Sequence, residues 1–509
     1  MIDRSLRRLL GVLLLSFGVL MVQVSRVQVL EAAELRNNPD NGRSILRDFN
    51  RPRGQILTSD GVVVAESESV FDSAFDYQRL YPEGALYAHS AGYYSFNLGA
   101  SGVEKAYNDS LSGRSAELRL SGLNEFLGGA GQPGDVVMSI SHALQSQAAE
   151  LLGDRVGSVV MLEPDTGAIV ALYSSPSFDP ALLASHDGVA AEAASRALNT
   201  QKGNPRRPSA FADVYFPGSS FKVVTAAAIL TTLGSPSAAG FDDTAVDPTN
   251  EYYPPLVSNR PIRNFGGRTC GGTLAEALAT SCNTSFAYLA AERVGPDAMV
   301  DTAQAFGFNE ELPLDIGGAV ASVFPTDYGE QLRAPSEEVP AGVYANSAVL
   351  AQAALGQNSV AASPLMMSLV AAAVANGGLV PSPHVVSKVL SGDGTIVETV
   401  EPEPWRTAMA PDTALELRAM MKLAVTDGTA KQLQTPGLEL GAKTGTAQVG
   451  EDLESSHAWV IGFAGDKGFA PDIAFAVFVA ADADRPNQTG GGTAVPIARE
   501  LVSSYFGLL

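Results

Sequence analysis

Hydrophobic and polar positions divide this chain into segments of different period. One almost uninterrupted apolar run lies near the N-terminus, short strand-like runs follow it, and a long middle section rich in alanine and leucine is mostly helical in pattern. Strand-like runs then return near the C-terminus. Strands are predicted over residues 158–162, 168–173, 438–449, 458–464 and 473–480, and a last helix over 494–506. Strands, then helices, then strands indicate one α+β domain whose sheet is assembled from both ends of the segment.

The apolar run covers residues 9–24, with three arginines in the eight residues before it and Arg26 after it. It reaches the about 20 residues that span a bilayer when its flanking side chains snorkel. Arginines ahead of the run place the N-terminus in the cytoplasm and the remainder outside. We therefore predict a cytoplasmic tail and one uncleaved transmembrane helix within residues 1–28, which holds the protein in the cell membrane. A signal peptide cleaved near Ala32-Ala33 is the competing interpretation.

A small β-rich domain is predicted at residues 29–152, ahead of a larger domain at 153–509. Residues 29 to about 50 are polar and mixed like a stalk, and residues 53–65 form a pattern of two short strands around the Asp60-Gly61 turn. A short amphipathic helix is predicted at 102–107, a glycine-rich break at 128–134 and a further helix at 142–152.

Composition and residue spacing argue against several classes of function. The formal charge of −22 argues against nucleic acid as a partner, because a phosphate backbone requires a Lys/Arg surface. The five histidines have no ligand-like spacing, so no metal site is expected. A Ser-His-Asp triad is not expected either, since no Gly-x-Ser-x-Gly elbow occurs. His457, which begins a late strand, is as well suited to lining a cleft as to lying on the surface.

The two cysteines, Cys270 and Cys282, lie in the part predicted to be outside the cytoplasm, where disulfides persist. A bridge across so short a loop contributes roughly 3 kcal/mol in the loop-closure description. The bridge would hold the loop in front of residues 281–283. Two buried free thiols are the alternative.

Three short motifs follow one another: Ser219-Ser220-Phe221-Lys222, Ser281-Cys282-Asn283 and Lys443-Thr444-Gly445-Thr446. Each alone is weak, since a helix-capping serine before an exposed lysine, a plain helix cap or a chance Lys-Thr-Gly would explain it. Together they supply a nucleophile, a base that is not histidine, a hydroxyl relay and a carboxylate clamp. The combination predicts acyl transfer through a serine.

The first motif provides the nucleophile and the base. A Pro217-Gly218 turn precedes a helical run, so Ser219 is predicted in the first helical turn with Lys222 on the same face. Lys222 can deprotonate a serine only if burial or a second cation lowers its pKa, and Lys443 is suited to be that cation.

The second motif is predicted in a connector between two helices, where polar side chains can point into a cleft. Ser281 would pass a proton between Lys222 and the leaving amine. Asn283 would orient the substrate amide.

The third motif lies in a strand-like segment. Lys443 and Thr444 would hold a terminal carboxylate, while Gly445 allows the close approach of another backbone. The Thr446 N–H would join that of Ser219 in an oxyanion hole.

With these motifs the chain resembles the class B, monofunctional penicillin-binding proteins over essentially its whole length. These are peptidoglycan D,D-transpeptidases, and the actinobacterial members without C-terminal PASTA repeats are the most similar in appearance. The supporting resemblances are Arg53-Gly54 with Asp60-Gly61, Gly102 with Glu104 and Tyr107, Gly356-Gln357, Ser363-Pro364-Leu365, Asn376-Gly377-Gly378, Asp427-Gly428-Thr429-Ala430 and Trp459 with Ile461-Gly462-Phe463. One departure is Thr58-Ser59, where the class more often has Asp-Arg.

The resemblance implies a non-catalytic pedestal domain, and then a transpeptidase domain with a five-stranded antiparallel sheet flanked by helices. It implies Ser219 as the acylated nucleophile and Lys222 as its base, covalent inhibition by β-lactams, and no cofactor. The segment before the larger domain is too short for a glycosyltransferase domain. Family analogy therefore implies a SEDS-type polytopic glycosyltransferase as partner.

Two other functions use the same motifs. In a D,D-carboxypeptidase or a β-lactamase, water would take the acyl group instead of an amine. A β-lactam sensor or an idle scaffold would keep the fold without turnover. The anchor, the pedestal and the length favour a transpeptidase that cross-links stem peptides, and the complete motif set argues against idleness.

Overall fold

The computed structural model describes residues 4–26, 49–71, 73, 75–121, 132–234, 244–449 and 455–508. The α-helices are α1 Arg4–Ser25, α2 Gly102–Ala106, α3 Asn108–Leu111, α4 Ala116–Ser121, α5 His142–Leu152, α6 Gly188–Thr200, α7 Lys222–Leu233, α8 Leu274–Thr280, α9 Asn283–Tyr288, α10 Pro296–Phe306, α11 Ser347–Ala353, α12 Pro364–Ala375, α13 Pro411–Thr426 and α14 Val495–Tyr505. The strands are β1 Ile56–Leu57, β2 Val63–Ser69, β3 Tyr77–Leu80, β4 Tyr94–Ser95, β5 Gly99–Ala100, β6 Asp135–Met138, β7 Gly157–Leu162, β8 Ile169–Ser175, β9 Val246–Thr249, β10 Glu251–Tyr252, β11 Ile262–Arg263, β12 Cys270–Gly272, β13 Gln331–Arg333, β14 Val343–Tyr344, β15 Leu379–Pro381, β16 Val386–Leu390, β17 Ile396–Thr399, β18 Pro404–Thr407, β19 Leu438–Val449, β20 Ser455–Asp466 and β21 Ile473–Val479. The chain forms two units, residues 1–52 with 67–78 and residues 53–66 with 79–509.

The first unit contains the apolar helix α1. Its 18-residue stretch Arg8–Ser25 has a mean hydropathy of 1.9 and no buried residues, so it is long and apolar enough to cross a membrane. In the same unit the rings of Phe49 and Phe75 pack with centroids 5.1 Å apart. The predicted stalk lies outside the described residues up to residue 48, and the predicted glycine-rich break lies outside them up to residue 131.

The central sheet of the second unit has five strands in the order β19-β20-β21-β7-β8, and all neighbours are antiparallel. This confirms the α+β class and the assembly of the sheet from both ends of the segment. Strand β19 has the predicted limits, while β20 is longer than predicted because it pairs with β19 from Leu438↔Asp466 to Val449↔Ser455.

Both faces of this sheet are covered. In β21, Ala474, Ala476 and Phe478 belong to one buried cluster with helix α12, while the alternating Phe475 and Val477 belong to another with α5 and α14. Successive side chains of a strand point to opposite faces, so a strand buried on both sides is apolar throughout. The same reasoning explains α12, in which every residue is buried and the sequence is apolar on all sides.

Another sheet has six strands in the order β17-β16-β6-β1-β2-β3. The predicted hairpin is confirmed, with Ile56 opposite Ala65 and a positive φ of 83° at Gly61. Strands β16 and β17 come from residues 386–399, and β16 pairs with β6 from Val386↔Met138 to Leu390↔Asp135. The sheet therefore draws strands from both sides of the predicted domain limit at 152, and that limit stays a prediction.

A buried ion cluster lies beside this sheet. The Glu104 carboxylate has no exposed surface and accepts hydrogen bonds from Arg53 Nε at 3.0 Å and Arg79 Nε at 2.5 Å. Burial alone would raise the pKa of Glu104, but the two guanidinium charges and their hydrogen bonds lower it overall. At the departure from the family pattern, Thr58 Oγ1 accepts the Val62 N–H at 2.9 Å and closes the hairpin turn.

The middle of the chain contains the predicted helices, α6 to α12. It also contains strands that the hydrophobic pattern did not predict, which form three two-stranded sheets: β9 with β12, β10 with β11, and β13 with β14. These strands have two to four residues each, too few to establish an alternating pattern.

Candidate active site

The first motif forms a tight turn that runs directly into α7. Residues Gly218–Phe221 form a 3₁₀ turn, and Lys222 is the first residue of the helix. In a 3₁₀ turn, positions i and i+3 eclipse, so Ser219 and Lys222 lie on the same side, as predicted. Gly218 has a φ of +54°, and a Cβ atom there would lie 2.9 Å from Thr446 O, so glycine is required at this position.

The second motif connects two helices, as predicted. Helix α8 begins with a capping box, in which Thr273 Oγ1 accepts the Glu276 N–H at 3.2 Å and Glu276 Oε2 accepts the Thr273 N–H at 2.9 Å. The helix ends at Ser281, whose φ of 63° is left-handed. Such a conformation is unusual for a residue with a Cβ atom and is often found at functional sites. It turns the chain so that Asn283 begins α9.

The three motifs meet around two buried lysines. Lys222 Nζ donates to Ser281 O at 2.8 Å and to Asn283 Oδ1 at 2.7 Å, and it lies 3.3 Å from Ser281 Oγ. Lys443 Nζ donates to the same Ser281 Oγ at 2.9 Å and to Thr444 O at 2.9 Å. Ser281 Oγ therefore bridges the Nζ atoms of the two lysines.

Burial lowers the pKa of both lysines, and the positive charge of Lys443 adds to the effect on Lys222. The side chain of Lys222 is fully buried, and burial together with the positive charge of Lys443 holds its pKa well below the ordinary value. Burial lowers the pKa of Lys443 to about 7. A neutral lysine is thus available near neutral pH, which is what a base in this position requires.

The Ser219 side chain is half-buried in the turn that leads into α7. Within the part of the chain that the structure describes, its hydroxyl has no hydrogen-bonding partner. Catalytic hydrogen bonds are often long before substrate binds. A direct contact between the Ser219 hydroxyl and Lys222 therefore stays a prediction.

Strand β19 approaches the first motif closely at Gly445. A Cβ atom there would lie 2.6 Å from Pro217 O and 3.1 Å from Ser220 N, so only glycine lets the strand and the turn pack together. The indole N–H of Trp459 donates to Phe216 O at 3.0 Å and holds the start of the same turn. Thr446 Oγ1 accepts the Gly490 N–H at 3.3 Å. The role of the Thr446 N–H in an oxyanion hole stays a prediction.

Sequence reasoning did not assign Thr429 to the site. Its hydroxyl lies 2.6 Å from that of Thr444, and its N–H donates to Ala279 O at 3.1 Å, at the end of α8. Thr429 thereby connects the end of α8, which leads into the second motif, with the third motif. The family resemblance of Asp427-Gly428-Thr429-Ala430 was a signal for this residue. The sequence alone did not show that this segment lies at the site.

The two cysteines and His457 were the other residues that the sequence left open. Cys270 and Cys282 form a disulfide. His457 is partly buried, and its Nδ1 accepts the Ala481 N–H at 2.9 Å, while burial lowers its pKa to about 4.

Comparison with known proteins identifies the class. A family model of the penicillin-binding protein transpeptidase domain matches residues 157–503, and a model of the penicillin-binding protein A dimerisation domain matches residues 53–137. The chain belongs to the penicillin-binding protein transpeptidases, in class B.

Individual relatives cover almost the whole chain. It is 34% identical to peptidoglycan D,D-transpeptidase PbpA of Mycolicibacterium smegmatis over 99% of both chains, and 33% identical to PbpA of Mycobacterium tuberculosis over 99% of both. It is similar to the solved ceftriaxone acyl-enzyme complex of penicillin-binding protein A from M. tuberculosis, with a TM-score of 0.79, 32% identity and coverage of 90% of this chain and 99% of that one. The imipenem acyl-enzyme complex of that protein has a TM-score of 0.77, 32% identity and coverage of 90% and 100%.

Proposed function

We propose that this chain is a peptidoglycan D,D-transpeptidase, which cross-links stem peptides through an acyl-enzyme on Ser219 and is inhibited covalently there by β-lactams. The observation that carries the proposal is the hydrogen-bonded cluster of Lys222, Ser281 and Lys443 beside the turn that bears Ser219. It supplies a buried amine base and a hydroxyl relay without histidine.

Acylation begins when Lys222 takes the Ser219 proton. A neutral amine has two hydrogens, and Ser281 O and Asn283 Oδ1 accept both, at 2.8 and 2.7 Å. The lone pair of the Lys222 nitrogen is then left to accept the proton of the Ser219 hydroxyl. The Ser219 oxygen attacks the penultimate D-alanine carbonyl, and the peptide C–N bond breaks. The proton passes through Ser281 to the leaving D-alanine amine.

Deacylation uses the same groups in reverse. The amine of a second stem peptide attacks the Ser219 ester, forming a new amide and breaking the ester C–O bond. The amine gives up one proton, which returns through Ser281 and Lys222 to the Ser219 oxygen. No external acid, base or cofactor is needed.

Strand β19 would bind the substrate. The charge of Lys443 and the paired hydroxyls of Thr444 and Thr429, 2.6 Å apart, suit a terminal carboxylate. The N–H groups of Ser219 and Thr446 suit the oxyanion of the tetrahedral intermediate, since fixed backbone donors need no reorganisation.

The proposed membrane arrangement is supported by helix α1. Its 18-residue stretch has no buried residue, and arginines precede it, which supports a cytoplasmic N-terminus and an extracytoplasmic catalytic domain. Transpeptidation needs glycan strands from another enzyme, and a SEDS-type glycosyltransferase in the same membrane is the partner proposed by family analogy.

Labelling with a fluorescent penicillin tests the nucleophile. Ser219→Ala should abolish covalent labelling, whereas Ser220→Ala, whose buried hydroxyl only donates to Pro217 O at 2.7 Å, should keep it. Lys222→Ala should slow acylation by at least about a hundredfold, the low end for loss of a general base. Labelling that survives in Ser219→Ala would assign the nucleophile to another residue.

A stem-peptide thioester tests the reaction. The proposed transpeptidase should form an amide when a peptide amine is added. Hydrolysis alone, at every amine concentration, would mean that the enzyme is a D,D-carboxypeptidase or another hydrolase.

A further inference from the structure

The segment of residues 244–272, called the ribbon segment here, lies in the chain between the first and second catalytic motifs. Its four strands pair as two short ribbons, β9 with β12 and β10 with β11, joined along the chain at Asn250. The acylation chemistry described above uses no side chain of this segment. Its position is nevertheless fixed by contacts with the second motif and with the start of α9.

Three connections hold the ribbon segment to the second motif. The disulfide joins Cys270 to Cys282, which stands between Ser281 and Asn283. Asn283, whose Oδ1 binds the catalytic lysine, donates from Nδ2 to Arg263 O at 2.9 Å. One covalent bond and one hydrogen bond therefore run from the ribbon segment into the motif itself.

Asn264 provides the third connection. This buried side chain accepts the Thr284 N–H at 3.0 Å, and it donates to Thr249 O at 2.8 Å and Arg268 O at 3.0 Å. It thus ties both ribbons to the first turn of α9. An element so firmly attached to the site presents its exposed side chains at a fixed place beside it.

Those exposed side chains are aromatic, aliphatic and cationic. Phe265 is 66% exposed, Leu256 55% and Tyr253 45%. The segment contains three arginines and only two acidic residues, in a chain whose net charge is −22. Large exposed apolar side chains together with a local positive charge mark a binding surface for an anionic, partly apolar molecule.

The three arginines of the ribbon segment differ in their ion pairing. Arg263 is paired with Glu251 across β10 and β11 at 3.3 Å. Arg260 and Arg268 are exposed and form no ion pair with any residue that the structure describes. Their charges are therefore available to a ligand.

We infer that the ribbon segment is the binding site for the acyl acceptor, a stem peptide that offers an amine and carries free carboxylates, and that Arg260 and Arg268 select it through those carboxylates. This inference rests on the proposed transpeptidase function. The donor carboxylate belongs with Lys443 and Thr444 on β19, whereas the ribbon segment reaches the site through Asn283. The donor and the acceptor, both anionic peptides, would thus be bound by separate elements and would meet at Ser219.

The step that this site serves balances without a further reactant. The acceptor amine forms a C–N bond to the acyl carbon, the ester bond to Ser219 breaks, and one amine proton ends on the serine oxygen. Without a bound acceptor, water takes the amine's place. The ribbon segment therefore controls the ratio of aminolysis to hydrolysis.

That ratio is the readout of the test. Full-length enzyme in detergent receives a stem-peptide thioester donor and one of two acceptors, a stem tripeptide with free carboxylates or the same tripeptide with amidated carboxylates. Only acylated molecules contribute to the ratio, so misfolded protein does not affect it. The variant R260Q/R268Q should lower the ratio about fivefold for the free acceptor, since exposed ion pairs are weak, and leave it unchanged for the amidated one.

Two further variants make the test specific for charge at this place. R260K/R268K keeps both charges and should retain most of the wild-type ratio. R499Q/K467Q removes two exposed charges elsewhere and should leave the ratio unchanged. An equal loss with both acceptors, or no loss in R260Q/R268Q, overturns the inference. Hydrolysis alone in the wild-type enzyme, with either acceptor, would instead overturn the proposed function.

Discussion

Breaking the Cys270–Cys282 bond would measure how firmly the ribbon segment is held. The substitution Cys270→Ala removes the half-buried sulfur and leaves the fully buried Cys282 in its packing site. The two cysteines are 12 positions apart, and helix α8 lies inside the loop that they close. For a loop of this size the chain-entropy relation gives about 3 kcal/mol.

The loss should appear as local opening of the ribbon segment. A change of about 3 kcal/mol corresponds to a rise of about 100-fold in the equilibrium constant for opening. Amide hydrogen exchange reports that equilibrium when closing is fast, so peptides from residues 246–272 should exchange about 100-fold faster in the variant. Peptides from α13, in the same sample, should keep their wild-type rate.

Thr269→Ala serves as the matched control, because it truncates the exposed neighbouring side chain and keeps the disulfide. It should leave the exchange of residues 246–272 close to that of the wild type. If Cys270→Ala also exchanged within threefold of the wild type, the reasoning would be refuted. The hydrogen bonds of Asn264 and Asn283 would then hold the segment without the covalent bond.

The catalytic lysines, the carboxylate site and the pedestal each provide a further expectation. Lys443→Met removes the charge that helps to lower the pKa of Lys222, so the acid limb of the penicillin acylation rate in stopped-flow measurements should move to higher pH. An unmoved limb would show that Lys443 does not act on the base. Thr429→Val removes the hydroxyl 2.6 Å from that of Thr444 and should slow acylation by about threefold to tenfold, with Thr429→Ser restoring the rate. Glu104→Gln removes the buried negative charge that accepts from Arg53 and Arg79 and should lower the free energy of unfolding in urea by about 3–5 kcal/mol. Because the folded-state pKa of Glu104 is lowered, this stabilisation is present at neutral pH and is lost as the pH falls through that pKa; equal urea midpoints at pH 7 would contradict it.

Elements with a complete local signal could be predicted from the sequence to the residue. Helix α5 and strand β19 have the predicted limits, since turn-forming residues flank each of them. The three motifs were also recognised as one site, because their chemistry is complementary. Local signals were sufficient wherever one segment carries all the information.

Pairing between distant segments could not be predicted in this way. Strand β16 is only five residues long, and nothing in its sequence indicates that Val389 would lie opposite Val136 in the sheet of the pedestal. The β9–β12 ribbon has the same difficulty, since Cys270 and Thr249 pair across a segment without alternation. The left-handed φ of Ser281 depends on the packing of α8 and α9, and no local residue preference favours it.

The shared hydroxyl of Ser281 shows why the chemistry needs the assembled fold. Ser281 Oγ lies 3.3 Å from Lys222 Nζ and 2.9 Å from Lys443 Nζ, and a hydroxyl has one hydrogen to donate. It can therefore donate to the lone pair of one neutral lysine while it accepts from the other. Two charged lysines would leave that hydrogen without an acceptor between them and would repel each other at a separation of at most about 6 Å, which costs about 3 kcal/mol at an effective dielectric constant of 20. The arrangement with one charge on the pair is thus the favoured one, and a single proton can move across Ser281 from either lysine. This coupling involves residues on three separate elements, so it arises only when helix α7, the α8–α9 connector and strand β19 converge.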